Sequence, residues 1–323
     1  MKQHGDQSWS GHRELTYAAV HRLFRRLAGP DDRLRGITRA EYADALDRAQ
    51  AHQDRLLGVN RIENFRNTGR SQLSVLGPTT HSAYANPGVQ REHFMADPYL
   101  RGEDNLANNT EYLHEQLRAA GTATDLPGEM RGLGAAAHAL QDSYSGAHAW
   151  RAEAVYLGDP TAPVESLHIF TPSHMVGFED GLNTHSDEFD EPPAASGSTQ
   201  AAVEATYRML RAYELGRQDP GQAELLIAQT LEPMTRASPN GVTVNLHPSR
   251  EWEQERNRRL ALEHGVLQPA VGPDQAARYL GAATSGPART GGAAAARPGD
   301  HRDTGGRAAG LRGKTPGQGA GRG

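Results

Sequence analysis

The chain has no cysteine among its 323 residues, which excludes disulfide bonds and thiolate metal sites. Any metal ion must therefore be held by histidine, aspartate or glutamate side chains. No apolar run approaches the roughly 20 residues that a transmembrane helix needs. The N-terminal stretch also lacks the apolar core of a signal peptide. We therefore expect a soluble, cytoplasmic protein, with secretion by a non-standard route as the alternative.

Large apolar residues are also scarce after about residue 281, where glycine, alanine, arginine and proline dominate. Such a composition cannot offset the entropy lost on ordering, so it predicts a disordered tail over residues 281–323. The tail carries seven basic and two acidic residues, whereas the whole chain has a net charge of −5. The body of the chain is thus acidic, which disfavours a protein that binds nucleic acid through a basic groove.

Helical periodicity accounts for most of the chain before the tail. Apolar residues recur at three- and four-residue intervals, and Thr38 is placed to cap the second helix. The predicted helices cover residues 13–27, 39–57, 103–120, 129–145, 198–216, 220–231 and 249–264. The last of them is so rich in charge that we expect it to be solvated. No strand pattern stands out, so the predicted fold class is all-α, a multi-helix bundle with a disordered C-terminal tail.

The predicted organisation has three parts. Residues 1–232 form a helical metal-binding domain, residues 233–280 a C-terminal extension with one charged helix, and residues 281–323 the tail. Within the first part, residues 58–98 are punctuated by glycine, asparagine and proline, which indicates a long loop. Residues 160–193 are irregular as well and contain His168, His174 and His185. Long loops in a compact domain are usually functional.

The most informative segment contains His138, Asp142 and His148. A histidine and an aspartate four residues apart project from one face of a helix, and the surrounding alanines indicate that this helix is buried. Unpaired charge is costly to bury, so a buried pair of this kind needs a strong partner. Imidazole and carboxylate are the ligands that zinc and similar divalent ions accept. The segment therefore predicts a metal site, with a hydrogen-bonded core pair as the alternative.

This spacing resembles the zinc-dependent phospholipase C / S1-P1 nuclease superfamily, whose enzymes are all-α and bind three zinc ions between helices. Its most recognisable segment is HxxxD followed six residues later by histidine, as in His138, Asp142 and His148. The stretch Trp9-Ser-Gly-His12 is similar to the N-terminal signature of the family, and Glu92-His93-Phe94 is similar to its second histidine. The resemblance covers about residues 9–195 and implies a divergent member of the superfamily.

The resemblance implies a phosphoester hydrolase with a cluster of two or three zinc ions. The implied substrate is a phospholipid or a nucleic acid, and the sequence leaves this choice open. Asp142 would contribute to catalysis as the anionic ligand. Arg151 is placed to bind a phosphate oxygen, although a surface salt bridge is an equal alternative. The implied metal ligands are His12, His93, His138, Asp142, His148, His185 and Asp190.

The chain departs from the family pattern in three places. The residue four positions after His185 is Phe189 instead of an acid, so the acid that partners His185 must be Asp190 or Asp187. Residues 76–85 lack the carboxylate that bridges two metals in the family, so either Glu63 or Glu92 substitutes for it or the bridge is lost. Trp9 lies inside the chain, whereas secreted members use an N-terminal tryptophan as a ligand.

These departures leave two alternatives open. One is a catalytically incomplete helical scaffold or binding domain, and the other is a toxin-type effector domain that uses the same fold. No stable protein partner can be inferred from the sequence. Convergence of the expected ligands on one centre would favour the hydrolase, whereas scattered histidines would favour the scaffold.

Overall fold

The structure, a computed structural model, describes residues 11–51, 53, 87–97, 99–169, 193–245 and 250–270. All of these lie in the first of two compact units, Met1–Thr284, and the second unit spans Ser285–Gly323. The tail predicted to be disordered therefore lies outside the described residues. So do the expected ligands His185 and Asp190.

The described residues contain eight α-helices and five short strands. The helices are α1 His12–Leu27, α2 Arg39–Gln50, α3 Pro87–Glu92, α4 Gly102–Thr122, α5 Leu126–Asp142, α6 Gly197–Gln218, α7 Ala223–Leu231 and α8 Arg250–Glu263. The strands are β1 Arg33–Leu34, β2 Ile37–Thr38, β3 Ala149–Arg151, β4 Val164–His168 and β5 Thr243–Asn245. The prediction of a mainly helical fold is confirmed. None of the described helices has the length and apolarity needed to cross a membrane.

The strands form two small sheets, so the expectation of no strands is wrong. β1 and β2 make an antiparallel pair that leads into α2. β4 is the central strand of the second sheet, antiparallel to β3 and parallel to β5. β3 and β5 have three residues each and β4 has five, too few to show a clear alternation in the sequence. β5 comes from the predicted extension, so that segment shares a sheet with the predicted metal-binding domain.

Side chains cap the starts of three described helices, namely Thr38 for α2, Asp125 for α5 and Ser196 for α6. Thr38 accepts a hydrogen bond from the Glu41 backbone N–H, and the Glu41 side chain accepts one from the Thr38 backbone, which confirms Thr38 as the cap of α2. Asp125 caps α5 by accepting a hydrogen bond of 2.8 Å from the Gly128 N–H. Pro127 lies in the first turn of α5, where its missing N–H costs no helical hydrogen bond.

Helix α5 lies at the centre of the fold, against α1, α2, α4 and α6. Its glycines allow this close packing. A Cβ on Gly132 would lie 2.6 Å from the carbonyl oxygen of Gln116 in α4, and a Cβ on Gly134 would lie 2.4 Å from the Cβ of Ala49 in α2. These contacts leave no space for a larger residue. They bring α2 and α4 against the segment of α5 that precedes His138.

Helix α8 is partly buried, so the expectation of a solvated helix is wrong. Trp252 stacks on Trp150 of β3 with ring centroids 5.7 Å apart. Arg259 donates hydrogen bonds of 2.6 Å to the carbonyl oxygen of Arg151 and to the carboxylate of Glu165. Its charge is thus buried together with partners, which is the condition under which proteins tolerate a buried charge.

Gly134→Ala should lower the free energy of unfolding by about 1–3 kcal/mol, because the new methyl group overlaps the Ala49 Cβ and adjacent backbone. The matched control is Gly121→Ala in α4, where a Cβ would meet no atom within 4 Å. The control should be neutral or stabilise the protein by about 0.5–1 kcal/mol. Urea unfolding of both variants measures the difference. Equal stability changes would contradict the close approach of α5 to α2.

Candidate metal centre

Five of the expected ligands come from four separate segments. His12 is the first residue of α1, and the N-cap before it, Gly11, has a φ of 56°, which favours glycine. His93 follows α3, whereas His138 and Asp142 occupy the C-terminal turns of α5. His148 lies in the turn between α5 and β3.

The turn after α3 fixes the backbone at His93. Phe94 adopts a φ of 52°, an uncommon conformation for a bulky residue. Its side chain is fully buried, and Asn109 of α4 donates a hydrogen bond of 3.1 Å to the next carbonyl, that of Met95. Packing and hydrogen bonding therefore maintain a strained backbone beside His93, as is common at functional sites.

The carboxylate of Asp142 is the centre on which the four imidazoles converge. Its Oδ1 lies 3.2 Å from His12 Nε2. Its Oδ2 lies 3.1 Å from His93 Nδ1, 3.2 Å from His138 Nε2 and 3.7 Å from His148 Nδ1. These distances bring the five side chains together around one carboxylate.

The ligand atoms fall into two groups that could each hold a metal ion. One group is His12, His138 and Asp142, and the other is His93, Asp142 and His148. Within each group the candidate atoms lie within 4.8 Å of one another. Asp142 belongs to both groups, so it is placed to bridge two ions. Glu92, one of the residues considered for that bridging role, belongs to neither group, and Glu63 lies outside the described residues.

The site is buried among the described residues. The side chains of His138 and Asp142 are 0% exposed, whereas that of His93, the most exposed of the five, is 14% exposed.

The buried environment shifts two pKa values. Burial lowers the pKa of His138 well below its usual range, and repulsion from His12 and His93 adds to the shift, although Asp142 opposes it. Burial alone would raise the pKa of Asp142, but attraction from the surrounding imidazoles, chiefly His148 and His138, lowers it well below the ordinary value. The lowered pKa of Asp142 favours its ionised form.

The donor atoms fit a cation. His12 Nδ1 lies 2.8 Å from the amide oxygen of Gln141, which can only accept, so Nδ1 carries a proton. In the neutral ring the lone pair is then on Nε2, which faces Asp142 and has no hydrogen-bond partner among the described residues. His148 Nδ1 likewise donates to the carbonyl oxygen of His93 at 2.8 Å, which leaves its lone pair on Nε2. The His12 Nε2 lone pair and the Asp142 carboxylate are donors of the kinds that zinc accepts.

His168 lies beside the cluster and was not among the expected ligands. Its backbone N–H donates to the carbonyl oxygen of His148 at 2.9 Å, so the two histidines face each other across β3 and β4. Its Nδ1 donates to the carbonyl oxygen of Ala147 at 3.1 Å, and its ring packs edge-on against Trp150. The pairing of β3 with β4 creates this placement, and the irregular segment predicted around His168 gave no signal for it.

Arg151 has a different position from the one expected for a phosphate ligand. It is 2% exposed, and its guanidinium donates to the carbonyl oxygens of Ser143, Ala162 and Met234 at 2.7–2.9 Å. A further bond of 2.7 Å reaches the Ser143 hydroxyl, and the group lies over the ring of Tyr144. The surface salt bridge considered as its alternative is also wrong, since Arg151 is buried. Its hydrogen bonds connect the C-terminal end of α5 to the segments that contain Ala162 and Met234.

Comparisons of the chain with protein-family models, with curated proteins and with solved structures found no match.

Arg151→Met should lower the free energy of unfolding by at least about 3 kcal/mol, because several buried carbonyl groups lose their donor. Arg208→Met on the surface of α6 is the control, since its ion pair with Glu204 is 43% exposed on the arginine side. The control should change stability by under about 1 kcal/mol. Thermal or urea unfolding compares the two. An Arg151 variant of unaltered stability would contradict the structural role.

Proposed function

We propose that this protein is a zinc-dependent phosphoester hydrolase whose centre is the cluster of His12, His93, His138, Asp142 and His148. The observation that carries the proposal is the buried carboxylate of Asp142 with four imidazole nitrogens within 3.1–3.7 Å. A buried ionised carboxylate is stabilised by hydrogen bonds or by a compensating cation. A bound divalent ion supplies that charge directly.

The donor set supports zinc and supports two ions. Nitrogen and carboxylate donors without thiolate suit zinc, and the chain has no cysteine to offer. Asp142 is common to both ligand groups, the arrangement expected of a residue that bridges two ions. The resemblance to the phospholipase C / P1 nuclease superfamily supports phosphoesters as substrates. A third ion, as found in that superfamily, would need ligands beyond the two described groups.

When bound, divalent ions supply Lewis acids that activate water and offset the charge of phosphate oxygens. The chain's own residues have three tasks around them. His12 presents its Nε2 lone pair toward Asp142 because a hydrogen bond to Gln141 holds its proton on Nδ1. Burial of His138 and Asp142 excludes bulk water, which strengthens electrostatic interactions in the site. The partly exposed His93 marks the side on which a phosphoester enters.

Phospholipids and nucleic acids present the same phosphodiester group, so both substrate classes remain part of the proposal. The acidic body of the chain favours the smaller charge of a phospholipid headgroup over a polyanion.

A metal-binding scaffold without hydrolytic activity is the second candidate. The observation that favours it is Arg151, which donates to backbone carbonyls and leaves the site without the phosphate-binding cation expected there. The two candidates share the metal centre and differ only in turnover.

Metal content and turnover test the proposal together. After zinc loading and gel filtration, mass spectrometry should find about two equivalents of zinc, and the protein should hydrolyse bis-nitrophenyl phosphate until a chelator is added. His138→Ala removes a ligand nitrogen from the buried face of α5, so metal affinity and turnover should both fall by more than about 100-fold, beyond the usual effect of an outer-sphere change.

His21→Ala is the matched control, since His21 is an exposed histidine on α1, the helix that supplies His12. It should retain wild-type zinc content and turnover. Less than one equivalent of transition metal in the loaded wild type would rule out the metal centre. Two equivalents of zinc with no phosphodiester turnover would favour the scaffold.

A further inference from the structure

We propose that Gln141 is a positioning residue that holds His12 in the tautomer whose Nε2 lone pair faces Asp142. The proposal rests on the proposed metal centre and assigns the residue that prepares one of its ligands before any ion binds. Gln141 precedes Asp142 in α5 and is fully buried. Its side chain contacts α1 and α6.

The direction of the hydrogen bonds is set at the carbonyl oxygen of Ala202 in α6. This oxygen can only accept, and it lies 2.8 Å from the hydroxyl of Thr206, which must therefore donate its single proton to it. The Thr206 hydroxyl is then an acceptor toward Gln141, whose side-chain atom lies at 3.3 Å. The atom of Gln141 that faces Thr206 is thus the amide nitrogen.

Thr16 of α1 reinforces the same orientation. Its hydroxyl donates to the amide oxygen of Gln50 at 2.7 Å and accepts from the Gln141 nitrogen at 3.1 Å. Both N–H groups of the Gln141 amide therefore have acceptors. Thr16, Gln50, Gln141 and Thr206 are all at most 1% exposed, so water does not compete for these bonds.

The amide oxygen of Gln141 consequently faces His12 Nδ1, at 2.8 Å. An amide oxygen only accepts, so the imidazole proton is on Nδ1 and the Nε2 lone pair points into the cluster. Nε2 lies 3.2 Å from Asp142 Oδ1 and makes no hydrogen bond there. His12 Nε2 and Asp142 Oδ1 are thus two neighbouring acceptors that a cation can bind together.

This hydrogen-bond chain links α1, α2, α5 and α6 around one ligand. Removal of the acceptor on Gln141 would let the imidazole proton move to Nε2, where it faces the Asp142 carboxylate. A metal ion would then have to displace that proton. Loss of such an outer-sphere partner typically lowers metal affinity by about 10–100-fold.

The test combines the metal-free protein with zinc titration. Long-range ¹H–¹⁵N NMR of the metal-free protein, with the His12 signals assigned by comparison with His12→Ala, reports which ring nitrogen carries the proton. The wild type should show the proton on Nδ1. Gln141→Met keeps a similar volume and removes the strong acceptor, so the proton should move to Nε2 and zinc affinity should fall by about 10–100-fold.

Gln141→Glu is the conservative variant, because a carboxylate also accepts from Nδ1. It should keep the Nδ1 proton and zinc affinity within about tenfold of the wild type. Thr206→Val removes one hydrogen-bond acceptor of the Gln141 amide and keeps the shape of the side chain at position 206. It should therefore give a mixture of His12 tautomers and a smaller loss of zinc affinity. Because the three variants alter two different residues, the inference does not depend on the folding of any one of them.

The NMR readout needs neither metal nor turnover, so the inference and the proposed function can fail separately. A wild-type His12 protonated on Nε2 would overturn the inference even if zinc binds. Unchanged tautomer and affinity in Gln141→Met would overturn it as well. A wild type with the Nδ1 proton but no zinc binding would overturn the proposed function alone.

Discussion

The carboxylate of Asp142 is the charge around which this part of the fold is organised. An isolated ionised carboxylate is very costly to bury, yet Asp142 is fully buried with a lowered pKa. Four segments supply imidazoles to it, and each segment is fixed by contacts that do not involve the carboxylate. The geometry of the cluster is therefore a property of helix packing.

Small residues and one buried arginine make this convergence possible. Gly132 and Gly134 let α5 approach α4 and α2 so closely that a Cβ at either position would overlap the neighbouring helix. Arg151 then connects the carbonyl at the end of α5 with those of Ala162 and Met234. The turn that contains His148 lies between α5 and Arg151. The packing of α5 and the hydrogen bonds of Arg151 therefore both fix the position of this turn.

The hydrogen bonds made by the outer ring nitrogens of the cluster histidines have defined partners. Histidines that bind metals usually donate their other N–H to a carboxylate or a backbone carbonyl. His148 follows the second pattern through the carbonyl oxygen of His93, whereas His12 uses the neutral amide of Gln141. Asp142 consequently remains the only carboxylate in the two ligand groups. Neutral partners behind the histidines add no further negative charge to a buried site.

Local sequence determined the residues that act over one or two helical turns. The spacing of His138 and Asp142 places both on one face of α5, and Thr38 begins α2 where its hydroxyl can cap the helix. Such features depend on backbone periodicity, so the sequence predicts them. The short strands, the burial of α8 and the proximity of His168 to His148 depend on pairing between distant segments, which no local pattern reports.

The sequence by itself determined the kind of chemistry available, since a chain with fifteen histidines and no cysteine offers imidazole and carboxylate donors, and no thiolate, to a metal. Only the tertiary structure decided which histidines meet at Asp142 and that Arg151 supports the backbone. The physical reason is that His12 and Asp142 are joined by packing across α1, α5 and α6, and contacts over so long a stretch of chain arise from the shapes of whole helices.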